Sequence, residues 1–477
     1  MTKRNLTITI ALILMLFSRF MPPLMNISAS MWQVIGIFIG TLILWMTISI
    51  DWPSILCMAM IAFVPEIKIN QIFASSFGNS TFAFLLFTFM CTYALSKTTF
   101  IRRVALYFLN TKMARKGGWY FLFLYFLSVL CLGAFISPTV LVVVLIALTK
   151  EIFAILQLEK GNSCASMMMM GMVFTSGIAA GMTPIAHVFP LMSMSFYQNI
   201  VGESVSYFKY MLVGIPVALL SFAAMLLMFK WLYRPCVSEL QSVDIASLKE
   251  DLPPLNRREQ YIIGIFGLVI ALWVLPELLK GVLPEIYIWI NSYGTAMPPM
   301  LGALALFIIT VDNQPLLDFK DALSNGIPWA SLVMVAGTLT LASALTNEDI
   351  GFVHWITQGI TPLVQNVSPI ILILVFLLWT SIETNLSSNM VTVSVVCTVA
   401  IPLTLALPNI NTEALAILIG MMASYAFATP PAMATIAFVL GTGYTTTKEM
   451  AKYGFILMVL TTLLATFVGY PLGCLVF

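Results

Sequence analysis

Apolar residues come in stretches of about twenty along the whole chain, and polar residues collect between the stretches or at a few sharp breaks inside them. A stretch of that length, coiled as an α-helix, matches the hydrocarbon thickness of a bilayer. In lipid each backbone polar group must find its partner within the segment, so the stretches are expected to be helices. The period-two alternation of a transmembrane barrel is absent. Spans are expected near 7–24, 32–50, 52–66 and 78–96, then at 207–229, 259–280, 297–311, 327–345 and 452–475. Four longer apolar runs are interrupted. Run 119–150 breaks at Ser137-Pro138, 163–200 at Gly181-Met182-Thr183-Pro184, 367–407 at Ser387-Ser388-Asn389, and 412–443 at Ala428-Thr429-Pro430-Pro431. The pattern predicts roughly ten crossings.

The breaks recur at matched spacing. Ser137 precedes Thr183 by 46 residues and Ser388 precedes Thr429 by 41; Asn79 precedes Ser137 by 58 and Gly326 precedes Ser388 by 62. Interrupted apolar segments at corresponding places in two halves are the sequence mark of a transporter built on internal repeats. The halves are 1–233 and 259–477, joined by a polar loop, 234–258, with charges of both signs and Pro253-Pro254. A short amphipathic piece follows the fourth span of the first half and the third span of the second. In 97–116, Ile101, Val104, Ala105 and Phe108 share a helical face, as Phe352, Trp355 and Ile356 do in 349–362; such helices lie on the membrane surface. The first carries Lys97, Arg102, Arg103, Lys112, Arg115 and Lys116 and belongs in the cytoplasm. The second has no Lys or Arg and sits beside Glu348 and Asp349. Counting spans from a cytoplasmic N-terminus puts the first piece and the 234–258 linker inside and the second piece outside. Equivalent elements then face opposite sides, as an inverted repeat requires.

Composition removes the soluble alternatives. The chain is 60% hydrophobic and 9% charged, against about 25% charged for a soluble globular protein. Lipid is therefore the solvent for much of the surface, and the expected fold is an all-α polytopic protein of the cell membrane. Lys3 and Arg4 precede an apolar run as in a signal peptide, but no small-residue cleavage site follows, and Arg19 with Pro22-Pro23 ends the run, which reads as a retained span. The seven cysteines are scattered, and methionines such as Met167–Met170 lie within apolar runs; both read as packing residues rather than metal ligands. The basic run 97–116 is pinned to lipid, so a nucleic-acid partner is not expected.

The breaks carry the chemistry. Each frees backbone groups that cost several kcal/mol apiece in hydrocarbon, so a break persists only where it lines a polar cavity or is buried in protein. Helix N-termini facing each other near the midplane attract an anion, while freed carbonyls and Ser/Thr hydroxyls coordinate a small cation. No Lys or Arg sits in the breaks, so dipoles and hydroxyls would hold the anion. Ionisable residues at membrane depth are functional candidates. His187, just after the first Thr-Pro break, could carry a coupling proton; Glu383, in the arm before the second Ser-Asn break, could do so or cap backbone amides. His354 lies on the surface piece and is read as structural. Two distant histidines cannot build the metal cluster of a membrane hydrolase, no Ser-His-Asp set is visible, and no nucleotide-binding loop is present. The expectation is a secondary transporter of small anions, not an enzyme, with sodium or proton coupling and no organic cofactor. An uncoupled exchanger and, behind it, an anion channel are the alternatives.

The same residues resemble the divalent anion:sodium symporter family of di- and tricarboxylate transporters. That family has a Ser-Asn-Thr motif at the tip of each of two re-entrant hairpins and a Thr-Pro break in the helix after each. Here the motifs read Gly133-Ala134-Phe135-Ile136-Ser137-Pro138-Thr139 and Thr384-Asn385-Leu386-Ser387-Ser388-Asn389-Met390. The Thr-Pro breaks are Thr183-Pro184 and Thr429-Pro430, and Phe77-Gly78-Asn79 before the fourth span also fits. The resemblance covers nearly the whole chain. It implies two inverted repeats, each with a re-entrant hairpin and a broken transmembrane helix. It also implies that Ser137, Thr139, Thr183, Pro184, Ser388, Asn389, Thr429 and Pro430 line the substrate. By the same resemblance a first sodium lies near Ser137 and Gly181, and a second near Thr384, Ser387, Asn389 and Ala428. A homodimer in lipid is implied, each protomer moving a transport part against a scaffold like an elevator. Three positions depart from the family pattern: Pro138 replaces Asn, Met390 replaces Thr, and Gly133 brings no hydroxyl.

Overall fold

The computed structural model describes residues 2–22, 27–237, 240, 252–280, 282–364 and 366–477. Most of the polar 234–258 loop lies outside the described residues. Among the described residues seven helices are long and apolar enough to cross a membrane, or nine if each of two bent pairs counts once. The only strands among them are a two-residue antiparallel pair, Thr310–Val311 with Gln314–Pro315. Roughly ten crossings were expected. The shortfall comes from pieces too short to count alone, such as Trp52–Ile61, Met297–Ile308, and the arms and half-helices described next.

The two halves repeat element by element. The first runs through a bent pair, Ile69–Ser75 and Ser80–Ser96 at 41°, then a surface helix, Phe100–Leu109. A hairpin follows, with arms Gly118–Gly133 and Pro138–Ile155, then a broken helix, Ser163–Met182 and Val188–Val201, and a span, Tyr207–Tyr233. The second has the bent pair Phe319–Gly326 and Trp329–Leu345 at 73°, the surface helix Phe352–Val364, hairpin arms Pro369–Leu386 and Asn389–Leu405, half-helices Thr412–Ala423 and Ala434–Thr442, and a span, Thr447–Val476. Each broken helix ends on a glycine in the left-handed region, Gly202 at φ 85° and Gly443 at φ 77°, where a side chain would be strained. The 73° bend and the helix Pro284–Asn291 were not expected from the apolar pattern.

Packing gives the repeats their inversion. Gly177 faces Ser424 and Phe427, Gly181 faces Met421, and Ser193 Oγ donates to the Ala416 carbonyl at 2.7 Å. Numbers rise along one broken helix as they fall along the other, so the two cross antiparallel. Small residues make the approach possible. A Cβ on Gly420 would lie 2.4 Å from Ser193 Oγ, and one on Gly181 would lie 2.9 Å from the Met421 carbonyl oxygen. Trp52–Ile61 of the first half packs on Trp329–Leu345 of the second, while Met297–Ile308 of the second packs on Ser80–Ser96 of the first. Each half thus supplies a wall for the other. Met167, Met168, Met169 and Met170 are all fully buried within this packing, as their packing role requires. The basic surface helix buries Ile101, Ala105, Leu106 and Leu109, and Arg102 makes a two-pronged bond to Glu151 on the first hairpin, at 3.0 and 2.7 Å.

Candidate functional site

Both hairpins turn where the sequence stops offering a helix its hydrogen bonds. In the first, Ser137 stands at the N-cap of the returning arm with Pro138 at the next position, where a missing N–H costs nothing and φ is already helical. In the second, Ser387 is extended, Ser388 is the N-cap and Asn389 opens the returning arm. Neither N-cap serine caps its own helix with its side chain, so the first N–H groups of both arms keep their positive ends free.

Each unwound segment is latched to its hairpin by an equivalent bond. Thr183 Oγ1 donates to the Ala134 carbonyl, and Thr429 Oγ1 donates to the Asn385 carbonyl at 2.6 Å. Both acceptors stand three residues before the tip serine. The role of these two threonines is therefore to close the hairpin base, and their hydroxyls are already committed. The second half adds a clamp that the first lacks. Asn385 Oδ1 accepts from the N–H groups of Phe427 and Ala428 at 2.7 and 3.0 Å, and its Nδ2 donates to the carbonyls of Ser381 and Tyr425 at 2.9 and 3.0 Å. Thr384 Oγ1 donates to the Ala423 carbonyl at 2.8 Å. The amide of Asn385 thus satisfies an unwound stretch that could not otherwise be buried. Its importance is not visible in the motif alone, because its partners lie about forty residues downstream.

The predicted cation residues fare differently in the two halves. Thr384 and Ala428 are tied into the same clamp, and Thr384 stands one helical turn before Ser387. Asn389 is 3% exposed, and neither its Oδ1 nor its Nδ2 has a partner. A buried amide left unsatisfied is costly, and an ion or ligand at that place would relieve it. The donors here are all neutral oxygens, which suits a hard monovalent cation. In the first half Ala134 stands where Asn385 stands in the second. A Cβ on Gly133 would come within 2.7 Å of Ala179 Cβ, so there is no room for a hydroxyl. The Gly181 carbonyl is taken by the Tyr210 hydroxyl at 2.8 Å.

A cavity of about 330 Å³ opens beside the tips. Of the expected site residues, Ser137, Thr139 and His187 line it, with Met390 from the second hairpin. Thr183, Pro184, Ser388, Asn389, Thr429, Pro430 and Glu383 are not in its wall. Phe89, Thr92, Tyr93 and Asn325 complete it from the two bent elements. His187 packs its ring 4.0 Å from that of Phe189, and its Nδ1 is buried without a partner. Glu383 is half-buried on the entering arm of the second hairpin, with Trp379 as its side-chain neighbour.

Hairpins and broken helices paired in inverted repeats define a multi-pass helical membrane protein of the secondary-carrier type. The chain belongs to the sodium:sulfate symporter family, whose transmembrane region matches residues 2–477. It is 23% identical over 462 residues to the sodium-dependent dicarboxylate transporter SdcS of Staphylococcus saprophyticus, covering 91% of this chain and 86% of that one. It is 24% identical over 420 residues to SdcS of Staphylococcus aureus, covering 83% of this chain and 77% of the other. In fold it is similar to the crystal structure of the YdaH transporter of Alcanivorax borkumensis, with a TM-score of 0.56 and 16% identity over 85% of this chain and 87% of that one.

Proposed function

We propose that this protein is a sodium-coupled secondary transporter of small anions, working by alternating access across the cell membrane. One observation carries the reading: the unpartnered, buried amide of Asn389 at a helix start, beside a cavity lined by both hairpins. Buried amides are otherwise paired. The names of the relatives, sodium-dependent dicarboxylate transporters, favour sodium over protons and a carboxylate as cargo.

The roles divide as follows. Helix N-termini at Ser137 and Ser388 hold the anion, with Thr139 and Asn389 beside them. The cation binds at Thr384, Ser387, Asn389 and Ala428, beside the clamp that Asn385 makes between the second hairpin and the unwound segment. Ser137 and Gly181 hold none, since the Gly181 carbonyl is taken by Tyr210 and Gly133 brings no hydroxyl. The transport part is the two hairpins, the two broken helices and the spans that follow them, 118–233 and 369–477. The scaffold is 3–116 and 257–364, the N-terminus is cytoplasmic, and a homodimer in lipid keeps the scaffold still while the transport part moves as an elevator. His187 lines the cavity without a partner, so proton coupling through it is the second reading.

Counterflow in proteoliposomes tests this. Saturable uptake, accelerated by anion on the opposite side and driven by an inward sodium gradient, is the expected result. Uptake indifferent to sodium but driven by a proton gradient favours His187, and indifference to both gradients favours exchange. Flux that never saturates makes the protein a channel. Asn389→Ala abolishes uptake while the protein still folds; full uptake in that variant overturns the site.

A further inference from the structure

We infer that Asn325, Ser331 and the start of helix Trp329–Leu345 form an anion subsite of their own on the scaffold, engaged only while the cavity faces the cytoplasm. The subsite rests on the reading of this cavity as the substrate site, and it adds a place that holds the anion just before release.

The cavity wall is divided between two bodies. Ser137, Thr139 and His187 belong to the first hairpin and its broken helix, and Met390 to the second hairpin. Thr92, Tyr93, Asn325, Pro328 and Ser331 belong to the bent elements. That second side is tied together through Asp321, which accepts from the Tyr93 hydroxyl at 3.0 Å and from Asn325 Nδ2 at 2.8 Å and pairs with Lys97. The cavity meets Ser80–Ser96 at Phe89, Thr92 and Tyr93, in the turns next to Lys97. At the opposite end of the same helix Thr81 is bonded to Ser195 at 2.6 Å. The cavity therefore lies toward the Lys97 end, which the positive-inside bias places in the cytoplasm.

The scaffold side carries free donors. Thr92 spends its hydroxyl on the Thr88 and Phe89 carbonyls at 3.0 and 3.1 Å, and Tyr93 spends its own on Asp321. Asn325 gives one N–H to Asp321 and keeps the other, and the Ser331 hydroxyl has no partner among the described residues. The 73° bend between Phe319–Gly326 and Trp329–Leu345 brings both into one wall. Pro328, the N-cap of the second of these helices, offers no side-chain cap. The Trp329 and Leu332 N–H groups have backbone partners, which leaves those of Ala330 and Ser331 for an acceptor at the positive end of the helix. From the other body, His187 lines the same cavity with its Nδ1 buried and unpartnered, as at a place that a polar ligand completes. A dicarboxylate can then rest one end against Ser137 and Thr139 and the other against this donor set, so neither charge is buried without a partner. Movement of the hairpins toward the outer face carries Ser137, Thr139 and His187 away from Asn325 and Ser331, and the scaffold contact is lost.

The test measures succinate uptake by the full-length protein in right-side-out and in inverted membrane vesicles, against vesicles that lack it. Asn325→Ala and Ser331→Ala are each expected to raise the half-saturating succinate concentration about fivefold at the cytoplasmic face and to leave it unchanged at the outer face. Thr139→Val, on the moving side, is expected to raise it at both faces. Should Asn325→Ala fail to fold for want of its bond to Asp321, Ser331→Ala breaks no hydrogen bond and still decides. An equal rise at both faces, a rise at the outer face alone, or no rise at either overturns the inference and leaves the transporter reading standing. Wild-type vesicles with no saturable uptake of succinate or sulfate at either face overturn both.

Discussion

A single side chain, Asn385, does for the second broken helix what no residue does for the first. It makes four hydrogen bonds to four different residues, three to the unwound segment and one to the Ser381 carbonyl of its own arm, at 2.7 to 3.0 Å. Truncation to alanine strands the buried N–H groups of Phe427 and Ala428, at about 1–3 kcal/mol each. Asn385→Ala is thus expected to lose about 3 kcal/mol of stability and to lose sodium protection, both read from thermal unfolding in detergent with and without sodium. Asn385→Asp keeps the two acceptor contacts and should recover part of the stability. The threonine latches give a finer comparison. Thr183→Val and Thr429→Val each remove one hydroxyl donor from a hairpin base, at about 1 kcal/mol. Only the second lies next to the residues proposed for the cation, so Thr429→Val should raise the sodium concentration for half-maximal uptake while Thr183→Val leaves it unchanged. An equal effect of the two would remove the asymmetry between the halves.

The unwound segment of the second broken helix also depends on a neighbouring helix that has no side chain to spare. A Cβ on Gly454 would lie 2.7 Å from both Ala428 Cα and the Phe427 carbonyl oxygen. The atoms in the way are backbone and cannot swing aside. Gly454→Val should therefore displace Ala428 and cost about 1–3 kcal/mol by overpacking. Sodium-driven uptake should fall more than folded yield, measured by monodispersity on size-exclusion chromatography; intact uptake would mean that Ala428 is not near the ion. At this scale the sequence was informative where chemistry interrupts a run of one kind. Ser137-Pro138, Thr183-Pro184, Ser388-Asn389 and Thr429-Pro430 break long apolar stretches, and the helices do end there. An amphipathic helix within 97–116 was legible for a similar reason, and it runs over Phe100–Leu109. What escaped was short or made at a distance. Phe319–Gly326 contains three α-helical residues and a π turn, too few for a periodicity to register. Pro284–Asn291 is one such short piece between longer spans. The strand pair at Thr310–Pro315 is two residues per side. The role of Asn385 could not be read either, since an asparagine inside an apolar arm reveals a partner only when the chain returns to it.

At the scale of the whole molecule, the single cation site we propose makes the sodium dependence simple. Uptake should rise with sodium along a hyperbola with a Hill coefficient near one, and a clearly sigmoid curve would restore the site at Ser137 and Gly181. The proposed movement of the transport part against the scaffold gives a further consequence. The bonds that cross this boundary include Thr81 with Ser195 at 2.6 Å between hydroxyl oxygens, and Ser394 with Thr338 at 3.5 Å. A vertical slide must break both, because one helical turn advances about 5.4 Å. Hydroxyls this close hold their Cβ atoms no more than about 5.4 Å apart, so a small adjustment lets a disulfide bridge them. The double variant Thr81→Cys with Ser195→Cys should therefore cross-link on mild oxidation, lose counterflow while oxidised, and regain it on reduction. Each single variant should transport throughout, which separates the cross-link from damage to the helix. A protein that still exchanged anion at full rate with that bridge closed would be moving something other than Val188–Val201 against Ser80–Ser96, and the elevator boundary drawn between 118–233 and the scaffold would have to be abandoned.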